Sequence, residues 1–133
     1  MAALLSKPDG AASLWVMACI RDLGTNARSL VPILVQNLRH TNWFAAMINA
    51  RILGELRFDP DLSVPALAKC LQDRRREVRM EAPRALMEFG ELARVALPAL
   101  SNALSDPDPD VRGNAARAIQ TIASRAPPSA PAP

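Results

Sequence analysis

The feature that most constrains the fold of this chain is an internal repeat of 33 residues. Three proline-containing segments mark it, namely VPIL, VPAL and LPAL, with their prolines at Pro32, Pro65 and Pro98. Without gaps, the same spacing aligns large apolar residues in columns, among them Leu34, Leu67 and Leu100; Leu38, Leu71 and Leu104; and Ile20, Leu53, Leu86 and Ile119. Self-similarity at one fixed period indicates a solenoid built from repeated supersecondary units.

Each repeat has the pattern of two helices, called helix A and helix B below. Val31, Leu34 and Leu38 have the i, i+3, i+7 spacing of one helical face, and the proline falls in the first turn, where a missing N–H costs little. A polar turn and a second apolar stripe follow. Half of the residues are apolar but only 4% are aromatic, a composition that suits helices better than sheets. The sequence therefore predicts an all-α fold, an α-solenoid of about three and a half helical-hairpin repeats.

The repeat also sets the expected boundaries. The first unit keeps its helix B but only a stub of helix A, so the chain begins in mid-repeat. The solenoid is predicted to cover residues 1–125, and residues 126–133, which contain four prolines and no large apolar residue, are predicted to form a flexible tail. The predicted helices span residues 11–23, 29–38, 43–56, 63–72, 77–90, 96–104 and 110–124.

The residues at fixed places in the repeat resemble HEAT repeats. The second, third and fourth units each have a proline in helix A, and the third and fourth units open helix B with Val78-Arg79 and Val111-Arg112. The runs ARILG from Ala50 and AARAI from Ala115 are similar to the short HEAT-like repeats of phycobilisome lyases. The resemblance is weaker in the second unit, where HTNWF from His40 replaces the acidic turn. It implies that helix B lines a concave surface and that the chain is a protein-binding scaffold or adaptor.

No catalytic set is visible in the sequence. A nucleophile with a base, a metal-ligand cluster or a phosphate loop would be expected in an enzyme. The single histidine, His40, falls in a turn. Cys19 shares a column with Ile52, Ala85 and Ala118, and Cys70 shares one with Asn37 and Ala103, so we expect both cysteines to be small buried side chains. We therefore expect no enzymatic activity, no cofactor and no metal. A non-catalytic subunit of an enzyme such as a chromophore lyase is an alternative role.

The start of the chain lacks the basic head and apolar stretch of a signal peptide. No uninterrupted apolar run reaches the roughly 18 residues that a membrane span needs. The sequence therefore predicts a soluble, cytoplasmic protein that does not enter a membrane.

The face of helix B that points away from the core is the main predicted binding surface. One helix position returns in each unit, which places an arginine there three times and methionine beside it twice. The predicted partner-binding residues on this face are Phe44, Met47, Arg51, Met80, Arg84 and Arg117. Exposed apolar side chains beside arginines are typical of interaction patches and suit an acidic or amphipathic protein segment. Alternatively, Glu55 and Glu88 form i, i+4 pairs with the arginines on a merely solvated face.

A second candidate site is an arginine cluster between the two helices of the third unit, formed by Arg74, Arg75, Arg76 and Arg79. Cations at the start of a helix oppose its dipole, so their presence favours a contact with phosphate or an acidic peptide over local stability. A solvated charge cluster is the alternative.

Two further partner classes stay open. The net charge of +3 and the sequence pI of about 9.5 allow nucleic-acid binding through an arginine-rich surface, although acidic residues are interleaved with most of the arginines. The open N-terminal repeat also allows end-to-end self-association. Protein binding is the favoured interpretation.

Overall fold

A computed structural model describes residues 18–39 and 42–124, and every regular element in this part is helical. The α-helices are α1 (residues 18–23), α2 (Val31–Asn37), α3 (Trp43–Leu56), α4 (Pro60–Cys70), α5 (Arg76–Phe89), α6 (Leu97–Ala103) and α7 (Pro109–Ser124). Two 3₁₀ segments, Gly24–Leu30 and Gly90–Ala96, precede α2 and α6. The predicted pairs of helices are confirmed, and the fold is an all-α solenoid.

The boundaries differ from the predicted ones mainly in the A helices. The 3₁₀ segments shorten α2 and α6 at their starts, and α4 begins earlier because Pro60 occupies its first position after Asp59, whose φ is 47°. Most of the predicted first helix, His40 and the predicted tail of residues 126–133 lie outside the described residues.

The helices form two layers with the core between them. The A layer consists of α2, α4 and α6, and the B layer of α1, α3, α5 and α7. The largest fully buried side chains come from the repeating columns: Val31, Leu34, Ile52, Leu53, Val64, Leu67, Val78, Leu86, Leu100, Val111 and Ile122. Leu53 and Leu86 are buried, as the sequence predicts. Each hairpin therefore buries its apolar stripes against its neighbours.

The B layer is packed more closely than the A layer. A Cβ atom at Gly54 of α3 would lie 2.8 Å from the Cα of Ala85 in α5, so only glycine allows this approach. In the A layer, by contrast, a groove of about 560 Å³ separates α2 from α4. At these two places the B helices thus approach each other more closely than the A helices do. The concave surface that the resemblance to HEAT repeats places on the B layer stays a prediction.

The two cysteines have different environments. Cys70 is buried, as predicted, and burial raises the pKa of its thiol to about 12. Cys19 is exposed, so its predicted burial is wrong. The corresponding residues Ile52 and Ala85 are buried between B helices, and Ala85 faces the preceding unit. Cys19 lies in α1, and no described B helix precedes α1 to cover it.

Candidate functional site

The predicted binding face contains a shallow cleft of about 280 Å³ between α3 and α5, here called the B-layer cleft. It is lined by Arg51, Glu55, Glu81, Arg84, Ala85, Met87 and Glu88. Arg51 and Arg84 thus line one cleft, as their 33-residue spacing predicts. Arg117 occupies the same helix position one unit further, and we call Arg51, Arg84 and Arg117 the B-layer row.

Arg51 is held by an acid of the following unit. Its Nε and one terminal nitrogen donate to the two carboxylate oxygens of Glu81, each over 3.2 Å. The Glu81 side chain is only 8% exposed, and this hydrogen bonding raises the pKa of Arg51. The predicted i, i+4 pair with Glu55 is wrong, because Glu55 accepts a hydrogen bond from Arg21 of the preceding unit instead.

Glu81 is the residue of this site that the sequence interpretation missed. It lies in a column with Ile48 and Asn114, which carry no charge. The side chains of Ile48 and Glu81 are buried, so a charged residue is unusual at this position. A buried carboxylate needs a paired cation, which Arg51 supplies. The charge of Glu81 in this column is the sequence signal that could have predicted the Arg51–Glu81 pair.

Arg84 and Arg117 are not held in this way. Both are exposed, and within residues 18–39 and 42–124 neither makes an ion pair. The expected i, i+4 pair of Arg84 with Glu88 is absent from this part of the chain. Both interpretations of the face, a binding surface and a solvated face, stay predictions. Two guanidinium groups, each with five N–H donors, are therefore available on the B layer.

The apolar residues of the face are only half exposed. Phe44 and Met47 pack partly against the core, and Met80 is also of intermediate exposure. Trp43 is 47% exposed and meets the Phe44 ring edge-on, with 5.6 Å between the ring centroids. The face therefore offers the tips of these side chains beside the free arginines, rather than a broad apolar surface.

The arginine cluster of the third unit, here called the arginine turn (Arg74, Arg75, Arg76 and Arg79), is largely engaged within the fold. Arg75 donates to the Asp73 carboxylate over 2.7 and 2.8 Å and to the Leu38 carbonyl of the preceding unit over 3.3 Å. The hydrogen bond with Arg75 lowers the pKa of Asp73. Arg74 is exposed and makes no ion pair with any described residue.

Arg76 and Arg79 connect the third unit to the fourth. Arg79 donates through Nε to Asp106 over 2.9 Å, and these side chains are only 17% and 8% exposed. Arg76 donates to Asp108, which lowers the pKa of that carboxyl, and to Asp110 over 2.6 Å. The cations that oppose the dipole of α5 are thus paired with acids of the next turn. The predicted phosphate or acidic-peptide contact stays a prediction. Of the four arginines of the arginine turn, only Arg74 has no ion pair with a described residue.

Neither a metal site nor a membrane span is found in the part of the chain that the structure describes. It holds no group of three or more histidine, cysteine, aspartate or glutamate side chains placed to bind a metal ion. None of its helices is both long and apolar enough to cross a bilayer.

Stacked helical hairpins, joined by ion pairs from one unit to the next, define a helical-repeat protein. The family model described as HEAT repeats matches residues 30–120. The chain therefore belongs to the HEAT repeat family. The finer likeness to the repeats of phycobilisome lyases stays a prediction.

The fold is also similar to a solved structure. A crystal structure described as an engineered protein, a target of the Northeast Structural Genomics Consortium, is 27% identical, with a TM-score of 0.61. The match covers 92% of this chain and 53% of that chain, so this chain spans about half the length of the engineered protein. No curated protein matched the sequence.

Proposed function

We propose that this chain is a protein-binding scaffold or adaptor that recognises its partner through the B-layer row. The observation that carries the proposal is the contrast within that row. Arg51 is neutralised by Glu81, whereas Arg84 and Arg117 are exposed and have no acidic partner among the described residues. HEAT repeats are commonly scaffolds for protein interactions, and the free arginines give this chain a specific place for one.

The chemistry of the face indicates the kind of segment that binds. A guanidinium group pairs with a carboxylate through two parallel hydrogen bonds, so Arg84 and Arg117 select acidic side chains. Met47 and Met80, half exposed beside them, supply adaptable apolar contacts. The partner we propose is an acidic, amphipathic protein segment that lies across successive B helices.

Support for nucleic-acid binding is weaker. An arginine-rich surface for phosphate needs cations that are not already neutralised. Arg75, Arg76 and Arg79 each contact an aspartate. Binding of mixed-sequence DNA should accordingly be weak, with a shallow dependence on salt.

The proposal can be tested by selecting peptides from a random display library against the immobilised chain. The selected peptides should combine Asp or Glu with apolar residues. Their binding should fall at least tenfold in the double variant Arg84→Glu/Arg117→Glu. The matched control is Arg39→Glu/Arg94→Glu, which makes the same charge change at two other exposed arginines without ion pairs in the described residues. Equal losses in both double variants would reduce the effect to net charge and contradict the proposal.

A further inference from the structure

Two of the charged side chains that line the B-layer cleft are left for a partner. Arg51 and Glu81 of the cleft hold each other over 3.2 Å, and Glu55 accepts a hydrogen bond from an arginine of the preceding unit, also over 3.2 Å. Arg84 and Glu88 line the same cleft, are exposed, and make no ion pair with any residue that the structure describes. The cleft therefore presents one unpaired cation and one unpaired anion, rather than a cation alone.

The unpaired acid does not stabilise the helix that carries it. Glu88 directly precedes Phe89, the last residue of α5. An acid in the last turn of a helix opposes the helix dipole, so the charge of Glu88 disfavours α5. Glu88 lies four residues after Arg84, which puts both side chains on one side of α5, about 6 Å apart along its axis. A partner that contacts Arg84 therefore also comes close to Glu88.

The fourth unit lacks this acid. Arg117 of α7 is exposed at the position of Arg84, but the position of Glu88 is occupied by Thr121, which is uncharged and only partly exposed. The two helices thus offer different charges to a segment that lies across them. α7 presents a cation by itself, whereas α5 presents a cation with an anion one turn further along the helix.

We propose that Glu88 determines the specificity of the B-layer cleft by selecting a partner segment that carries a lysine or arginine beside its acids. This inference rests on the proposed function and adds a basic residue to the segment described there. The acids of the segment pair with Arg84 and Arg117, and its basic residue pairs with Glu88.

Repulsion by Glu88 is the physical reason for this selection. A carboxylate that pairs with Arg84 lies within about one helical turn of Glu88, and like charges in an interface weaken binding. A purely acidic segment meets this repulsion at α5 but not at α7. A cation of the partner next to its acid replaces the repulsion with a second ion pair. Glu88 therefore disfavours the wrong partner as well as contacting the right one.

The test uses peptides from two display libraries. The first library contains only Asp, Glu and apolar residues, and the second contains Lys and Arg in addition. The probes are peptides from each library whose binding falls in Arg84→Glu/Arg117→Glu. Glu88→Gln should weaken the binding of probes from the second library about two- to fivefold and strengthen the binding of probes from the first by a similar factor. Opposite changes of this kind do not arise from a damaged fold.

The matched control is Glu91→Gln. It removes the same charge from another exposed glutamate that makes no ion pair with a described residue and does not line the cleft. It should leave both kinds of probe unchanged.

Two results would overturn the inference about Glu88 while leaving the proposed function intact. One is a shift in the same direction for both kinds of probe in Glu88→Gln. The other is an equal shift in Glu91→Gln, which would reduce the effect to net charge. If peptides from neither library lose binding in Arg84→Glu/Arg117→Glu, the proposed function itself is contradicted, and the inference about Glu88 with it.

Discussion

In the arginine turn, Arg76 and Arg79 reach acids of the following unit, whereas in the B-layer row Arg84 and Arg117 reach none within the described residues. The two regions use the same side chain at positions that the repeat defines equally well. What differs is the neighbouring unit. An aspartate-rich turn faces Arg76 and Arg79, whereas no carboxylate among the described residues pairs with Arg84 or Arg117. The residues of the neighbouring unit therefore decide whether an arginine of this solenoid is held in an ion pair or is left exposed for binding.

The B-layer row shows this contrast within a single column. Arg51 faces Glu81, but the residue that corresponds to Glu81 in the fourth unit is Asn114, whose side chain donates to the Met80 carbonyl over 3.1 Å. Arg84 is consequently left without the acid that Arg51 has. The difference between Glu81 and Asn114, at the same position of two repeats, thus explains why Arg51 has an ion pair and Arg84 has none in the described part of the chain.

The core sets the scale against which these ionic contacts can be compared. Leu86→Ala removes a side chain with no exposed surface and should lower the free energy of unfolding by about 2–5 kcal/mol, measured by chemical denaturation. Leu104→Ala is the matched control, because Leu104 is 42% exposed, and it should cost much less. Equal losses would mean that the two units are packed alike.

The arginine turn should show the next largest effect. Arg79→Ala leaves Asp106 with 8% exposure and no cation, so it should cost about 2–3 kcal/mol of unfolding free energy. Arg112→Ala removes the equivalent arginine, which contacts two carbonyls but no described carboxylate, and should cost less than half as much. If both substitutions cost the same, the Arg79–Asp106 pair contributes nothing beyond the carbonyl contacts.

The B-layer row provides a second matched pair. Arg51→Ala leaves Glu81 almost buried without its cation and should cost about 1–2 kcal/mol. Arg84→Ala should change stability by less than about 0.5 kcal/mol, since the side chain is exposed and has no ion pair among the described residues. Thermal or chemical denaturation of the two variants measures the difference. A costly Arg84→Ala would show that this arginine too is part of the fold.

Acid should weaken the arginine turn. The pKa values of Asp73 and Asp108 are lowered in the folded chain, chiefly by hydrogen bonds from Arg75 and Arg76. The unfolded chain therefore takes up protons first, and the stabilisation is complete above about pH 4 and lost as the pH falls through the lowered values. The melting temperature should decline below about pH 4. This decline should be shallower in Asp73→Asn/Asp108→Asn, and an unchanged slope would contradict the assignment.

Much of the fold follows from local patterns. The 33-residue spacing, the prolines of the A helices and the apolar columns place the helices, because these signals act within one unit or between identical positions. The capping residues follow the same logic: the side chain of Asn42 accepts from Phe44 N over 2.9 Å, and that of Asp108 from Asp110 N over 2.8 Å. Arg75 occupies that column without capping α5, which is a local irregularity visible in the sequence.

The candidate site was harder to predict, because its contacts cross from one unit to the next. Arg51 and Glu81 are 30 residues apart, and Arg79 and Asp106 are 27 residues apart, so neither pair has the i, i+4 spacing used to assign partners on one helix. The predicted burial of Cys19 is wrong for a related reason. The corresponding residue Ala85 is covered by the preceding unit and not by its own helix. A residue's place in the repeat therefore predicts which way its side chain points. It does not predict which side chain the adjacent unit places opposite it.

The central claim is that Arg84 and Arg117 serve binding rather than folding. It is tested most directly by measuring, on the same protein samples, the affinity for a selected acidic peptide and the free energy of unfolding. For Arg84→Ala/Arg117→Ala we expect affinity to fall about tenfold or more while stability changes by less than about 1 kcal/mol. Affinity at the wild-type level in a fully folded double variant would contradict the claim.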